Sequence, residues 1–252
     1  MQHALEQLAI VMVHTSHPGN IGSAARAMKT MGLHDLRLVC PTRFNSPETR
    51  ALASGADDIL EQAQHFDTLP AALADRQRVI GTSARAERSL RWPQMNARQC
   101  GEFVVSQSPP QKTAIVFGRE RTGLTNKELE YCQSLVHIPM AFDFFSLNIA
   151  AAIQIVCYEC MMSARTQIPA EAGPAPDTRQ EPAATTENLE SFYQHLEQAL
   201  IDVRYLDPDN PRLLMRRLRR LFGRTLLSQS EINILRGMLS AFQGRKFTSR
   251  SS

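Results

Sequence analysis

Short apolar runs alternate with amphipathic stretches along the first 165 residues of the chain. The runs predict strands at Leu8–His14, Asp35–Cys40, Arg78–Thr82, Thr113–Gly118 and Leu135–Pro139, and the helical periodicity falls near 20–32, 67–74, 96–106, 125–132 and 146–165. Such alternation is the signature of an α/β fold, a mostly parallel sheet with helices on both faces. Residues 41–63 are patterned more weakly, with Ser46-Pro47-Glu48 as a helix start and a short strand expected near Ile59. Residues 166–186 are rich in Pro, Ala and polar side chains with almost no apolar anchor, which reads as a flexible connector. Three further helical patterns follow near 187–203, 210–223 and 229–243. The expected organisation is therefore a large α/β domain over 1–165, a linker over 166–186 and a small helical domain over 187–252.

Composition narrows the class. With 252 residues, 43% of them hydrophobic, the chain is long enough to fill the core of an α/β domain and a small companion. Its five cysteines, Cys40, Cys100, Cys132, Cys157 and Cys160, are odd in number and scattered, which favours a reducing compartment over a disulfide framework. Cys157-Tyr-Glu-Cys160 has the spacing of a redox or metal pair but sits inside an apolar helical pattern, where core packing is the expectation. The first residues lack a basic segment leading into an apolar one, and no apolar stretch reaches membrane-spanning length, so a cytoplasmic protein without membrane contact is expected. No metal is expected, because the seven histidines never take ligand spacing on one helix. Charge is uneven: residues 1–165 hold 16 basic and 15 acidic side chains, 166–186 hold 1 and 3, and 187–252 hold 11 and 7, or +1, −2 and +4. A basic tail on a near-neutral domain suggests a polyanionic partner.

In open α/β sheets, chemistry gathers at the carboxyl ends of the strands. The first strand leads through Thr15-Ser-His-Pro-Gly19 into Asn20-Ile-Gly-Ser-Ala-Ala-Arg26, where Asn20 is a good N-cap and Arg26 is a lone charge among small residues. On its own this segment is equally a capped helix with a solvated arginine. Three more strand ends supply small residues or arginine: Gly81-Thr-Ser-Ala-Arg85, Gly118-Arg-Glu-Arg-Thr-Gly123 and Ser146-Leu-Asn148, with Thr125 to Glu128 as a capping box for the helix after the second of these. Together they make a cleft the better reading. Neither a Gly-x-Gly-x-x-Gly after the first strand nor a Gly-x-x-x-x-Gly-Lys-Ser/Thr is present, which argues against a nicotinamide enzyme or an NTPase. Backbone groups in these loops are the expected ligand contacts.

In order and spacing, Asn20 to Arg26, Gly81 to Arg85, Phe117 to Asn126 and Ser146 to Ala150 resemble the motif regions of the SPOUT-class, TrmH-like RNA ribose methyltransferases, over nearly the whole chain. The resemblance implies transfer of a methyl group from S-adenosylmethionine to the ribose 2′-hydroxyl of a cytidine or uridine at position 32, the first of the tRNA anticodon loop. It also implies a homodimer and a C-terminal trefoil knot, which no periodicity reveals. Carried over residue by residue, it places the cofactor at Thr82, Ser83, Ala84, Gly118, Ile138, Ser146, Leu147 and Asn148. Ile138 is equally a core residue, and Ser146 is expected to cap the last helix as well. Asp143-Phe-Phe145 is bulkier than the family pattern leads one to expect. Arg26, Asn20 and Ser146 are the catalytic candidates. Guanidinium stays protonated, with a pKa above about 12, so Arg26 suits a role orienting ribose or phosphate better than that of a literal base. Arg85, Arg119 and Glu120, with Asn20, are candidates for positioning ribose or phosphate, and each is equally a surface or capping residue.

The middle tail helix adds a candidate nucleic-acid surface. At about 100° per residue, Leu214, Met215, Leu218, Leu221 and Phe222 share one side, while Arg212, Arg216, Arg217, Arg219, Arg220 and Arg224 share the other, with no acidic residue in 212–224. Solvated faces usually mix signs, so phosphate contact with tRNA is expected. The alternative class is a non-catalytic RNA-binding protein that uses these helices; binding of the methyl donor separates the two.

Overall fold

The computed structural model describes residues 2–44, 46–84, 92–107, 110–141, 146–166 and 181–244. Arg85, the segment Asp143-Phe-Phe145 and most of the predicted linker lie outside the described residues. The chain divides into two compact units, Met1–Thr178 and Arg179–Ser252.

The first unit is built on a seven-stranded sheet: β1 (Leu8–Val13), β2 (Asp35–Val39), β3 (Gln64–Phe66), β4 (Arg78–Thr82), β5 (Gln94–Met95), β6 (Thr113–Phe117) and β7 (Ser134–Val136). Their order is β3-β2-β1-β6-β4-β7-β5, and every described pairing is parallel. All six residues of β1 are buried, Leu8, Ile10 and Met12 in one cluster and Ala9, Val11 and Val13 in the other, as a strand covered on both faces requires.

One face is covered by α2 (Pro18–Thr30), α6 (Ala97–Ser106) and α8 (Ile149–Thr166), following the short α1 (Gln2–Glu6). On the other lie Leu69 and Leu73 of α5 (Leu69–Leu73) and Leu129 of α7 (Asn126–Leu129). Cys157 and Cys160 are fully buried in α8, and burial pushes the Cys160 thiol up to about 12, as packing residues rather than a redox or metal pair. Two helix pairs approach so closely that only glycine fits: a Cβ on Gly22 would lie 2.1 Å from the Thr49 carbonyl oxygen of α3 (Pro47–Ala53), and one on Gly101 2.5 Å from that of Glu159. Arg37 of β2 ties the sheet to the end of α5, its Nη1 donating to the Ala72 carbonyl and to Asp75, each at 2.7 Å.

Three local expectations are corrected. The strand expected near Ile59 is the helix α4 (Asp57–Glu61), whose acidic first turn suits a helix N-terminus, and the strand β3 comes after it. Asn20 is not an N-cap: α2 begins two residues earlier at Pro18, because proline is pre-organised for the first helical position and needs no N–H partner there. Ser146 does not cap α8 either; Asn148 does, its Oδ1 accepting from the Ala150 and Ala151 N–H groups at 2.9 and 3.3 Å. Ser46 does cap α3, its hydroxyl accepting from the Thr49 N–H at 3.2 Å.

The second unit holds α9 (Thr186–Asp202), α10 (Leu214–Gly223) and α11 (Gln229–Phe242). Leu189, Phe192, Tyr193, Leu196 and Ala199 of α9 form its core with Ile232 and Leu239 of α11. On α10 the phase of the helix differs from the expected one. Met215, Leu218 and Phe222 pack on the core, but Leu221 is 54% exposed and Arg219 turns inward, so its place on an outward arginine face is a correction. Arg219 pairs through both Nη atoms with Glu190 and stacks 4.5 Å from the Tyr193 ring centre. Burial pushes the Tyr193 hydroxyl up to about 12, and that hydroxyl donates to the Arg219 carbonyl at 3.3 Å. At about 100° per residue, the buried arc centres between Leu218 and Arg219, which leaves Leu221 at its edge.

Candidate active site

Because the strands run parallel, their carboxyl ends share one rim. At the ends of β4, β6 and β7 a cavity of about 650 Å³ opens, and the entry to α8 closes it. Seven of the eight predicted cofactor residues line it: Thr82, Ser83, Ala84, Gly118, Ile138, Ser146 and Leu147. Its walls combine small residues with apolar ones, including Ile149 of the last motif region and Met140, which no sequence pattern marked.

Local hydrogen bonds shape each wall. The Thr82 hydroxyl donates to the Val116 carbonyl at 3.0 Å, the Ser83 N–H to that of Val136 at 3.0 Å, and His137 Nδ1 lies 3.1 Å from the Ser83 carbonyl oxygen. After β6 the chain turns back on itself, with the Gly123 N–H donating to the Arg119 carbonyl at 2.9 Å. A Cβ on Gly118 would sit 2.2 Å from the Gly123 carbonyl carbon, so this turn closes only over glycine. The predicted capping box of α7 is present, and its Glu128 also accepts from Arg119 Nη1 at 3.0 Å on both oxygens. Arg119, a candidate RNA contact, is thus engaged within its own loop. Although burial raises the Glu128 pKa, the bonds from Arg119 and Thr125 hold it below the ordinary value.

Glu120 lines the cavity and is the hub of a network that crosses the rim. Its carboxylate accepts from the Ser16 N–H at 3.1 Å, the Ser16 hydroxyl at 3.2 Å, the His17 N–H at 3.2 Å and Asn20 Nδ2 at 3.2 Å. Asn20 Oδ1 in turn accepts from Asn148 Nδ2 at 2.9 Å. Glu120 therefore supplies, from another loop, the carboxylate that the N-terminus of α2 lacks locally. Burial raises its pKa, yet its hydrogen bonds with its own N–H, His17, Asn20 and Ser16 hold it below the ordinary glutamate value. Asn20 and Asn148 thus flank the cavity rather than line it. Arg26 stands apart: it is exposed, its Nη1 donates to the Ser54 carbonyl at 3.4 Å, and it does not line the cavity. At six residues beyond Asn20 it lies about 240° around the helix from the network. Among the described residues, no group of three or more His, Cys, Asp or Glu could hold a metal ion, and no helix is long and apolar enough to cross a membrane.

The cavity lies at the strand ends, walled by loop backbone and closed by the start of α8, and residues 7–158, which include all of these elements but the end of α8, match the family described as the SpoU rRNA methylase family. The chain belongs to the SpoU methylase family. It is a methyltransferase, and residues 187–251 match the C-terminal domain of the tRNA methyltransferase TrmJ. The chain is 47% identical over 247 residues to the tRNA (cytidine/uridine/adenosine-2′-O-)-methyltransferase TrmJ of Pseudomonas aeruginosa, covering 95% of each chain. It is 45% identical to the tRNA (cytidine/uridine-2′-O-)-methyltransferase TrmJ of Cronobacter sakazakii, covering 96% of this chain and 98% of that one. The crystal structure of TrmJ from Z. mobilis superposes with a TM-score of 0.79 at 34% identity, over 93% of this chain and 98% of that one.

Proposed function

We propose that this SpoU-family methyltransferase moves the methyl group of S-adenosylmethionine to the ribose 2′-hydroxyl of a cytidine or uridine at position 32 of the tRNA anticodon loop. The cavity at the ends of β4, β6 and β7 carries this reading, together with relatives of nearly equal length that are named for tRNA 2′-O-methylation.

The residues present fit the cofactor. Adenine and ribose need an apolar slot with backbone donors and acceptors at its edge, and Ile138, Leu147 and Met140 beside Thr82, Ser83, Ala84 and Gly118 provide that combination. When bound, the cofactor supplies an electrophilic methyl group on a sulfonium.

The protein's share is to aim the 2′-oxygen along the line of displacement and to provide for loss of its proton. Ser146, on the cavity wall, has the hydroxyl to hold the 2′-oxygen by a hydrogen bond. The Glu120–Asn20–Asn148 network fixes the entry to α8, and so the position of Ser146. Arg26, exposed and outside its own cavity, is assigned to the cavity of a partner subunit in a homodimer, where its permanent charge orients the ribose or an adjoining phosphate. We further infer that the C-terminal pass of this unit is the trefoil knot of the family, an order in which β6 and β7 flank β4 on either side. Residues 166–186 would then connect it to the helical domain, where Arg212, Arg216, Arg217, Arg220 and Arg224 supply phosphate contacts and sequence-tolerant affinity.

Calorimetry tests the cofactor site. Ile138→Asp, which puts a carboxylate into the apolar wall, should abolish S-adenosylmethionine binding while circular dichroism stays unchanged. Unaltered affinity in that folded variant would refute the site.

A further inference from the structure

On the far side of the Glu120 network, the same rim carries a polar shelf that the cavity does not use. β1 and β2 are each followed by a non-glycine residue in the left-handed region, His14 at φ 51° and Cys40 at φ 45°, and Arg43 follows at φ 56°. Hydrogen bonds hold these bends in place. The His14 N–H donates to the Val39 carbonyl at 2.8 Å, the Cys40 N–H to that of Phe66 at 3.0 Å, and the Thr42 N–H to that of Thr15 at 3.0 Å. Left-handed backbone costs an L-residue about 1 kcal/mol or more. Three such residues in one stretch of rim, all exposed, serve no core.

What the bends hold in place is a row of exposed donors. His14, Thr42 and Arg43 are exposed beside Ser16, whose N–H and hydroxyl are already given to Glu120, and among the described residues the Arg43 guanidinium has no ion pair. At its flank the exposed His65 ring rests edge-on against Phe44, with centroids 4.4 Å apart. The carboxylates nearby are Glu48, which lies 3.5 Å from His17, and Asp67 at the edge beside β3. The shelf joins the cavity without a break, because Ser16 and His17 give their N–H groups to Glu120, which lines it.

We propose that the single-stranded RNA adjoining the reacting nucleotide lies across this shelf, with Arg43 against a phosphate and the His65 face beneath an unstacked base. The inference rests on RNA being the substrate. A ribose can enter the cavity only from a splayed strand, whose neighbouring phosphates and bases must then cross the rim. Donors and a cation at exposed, rigidly held positions match that chemistry.

The test uses the full chain and an anticodon stem-loop RNA, read by fluorescence anisotropy over a salt series without cofactor. Arg43→Gln should weaken binding about fivefold and lower the log–log salt slope by about 0.7, the value for one single-strand phosphate contact. His65→Ala should weaken it severalfold with no change in slope. Lys112→Gln removes the same charge at the opposite rim and should stay within about twofold of the wild type. S-adenosylmethionine affinity and thermal midpoint should not change in Arg43→Gln. Wild-type affinity in Arg43→Gln, or equal weakening in Arg43→Gln and Lys112→Gln, overturns the shelf. Absence of methyl transfer by the wild type, with the Arg43 effect intact, strikes the proposed reaction and leaves the shelf standing.

Discussion

Glu120 shows how one side chain joins fold and site. Its carboxylate takes two N–H groups at the start of α2, the Ser16 hydroxyl and the Asn20 amide, and through Asn20 it reaches the cap of α8. None of this was legible locally, because its partners at Ser16 and Asn20 lie 104 and 100 residues away in sequence. Asn20 looked like a cap because its residue type favours caps; the proline two residues earlier outweighed that preference, and the carboxylate came from elsewhere. The small residues of the cavity were legible for a different reason: strand ends followed by Gly, Ser and Ala leave backbone open whatever the tertiary detail. A folded-state pKa below the ordinary 4.5 means that ionised Glu120 stabilises the native state above that pH, and that the contribution is lost as pH falls through the lowered value. Thermal midpoints of the wild type and Glu120→Gln should therefore differ most near neutrality and converge below about pH 4.5. A constant difference across the series would deny the role of the charge.

At the scale of elements, periodicity revealed the strands and helices, but phase and spacing were settled by packing. The pattern of α10 gave its existence and its arginines; Glu190 and Tyr193 of α9 decided that Arg219 turns inward while Leu221 stays out. Arg219→Ala should accordingly cost about 2 kcal/mol by denaturant unfolding, because it leaves the half-buried Glu190 without its partner. Arg217→Gln should shift stability by less than about 0.5 kcal/mol and weaken tRNA binding instead. Closeness of helices follows the same logic. Gly22 reads in the sequence as a small residue that lets a backbone or a ligand approach closely, and what approaches is the backbone of α3, at 2.1 Å from a would-be Cβ. Gly22→Ala should lower stability by about 1 to 3 kcal/mol, measurable as a reduced thermal midpoint, because backbone cannot yield as a side-chain tip does. The short β5 and α1 escaped notice for want of length, since two and five residues carry no period.

The whole molecule couples a parallel α/β unit, whose rim holds the cavity, with a helical unit that carries a net basic charge. Strand alternation was enough to anticipate the parallel sheet, and helical periodicity the three helices of the tail. The sheet order was not, because β6 and β7 insert beside β4 rather than extending the edge, a choice that adjacent-strand patterns do not encode. The central claim is ribose methylation of tRNA, and its most direct test is nucleotide-resolution mass mapping of unmodified tRNA after incubation with the full chain and isotope-labelled S-adenosylmethionine. The account predicts label on the ribose of a cytidine or uridine at position 32, as a nucleotide whose 3′ linkage resists alkaline cleavage. Label on a base, or no label from a protein that binds the cofactor, would contradict it.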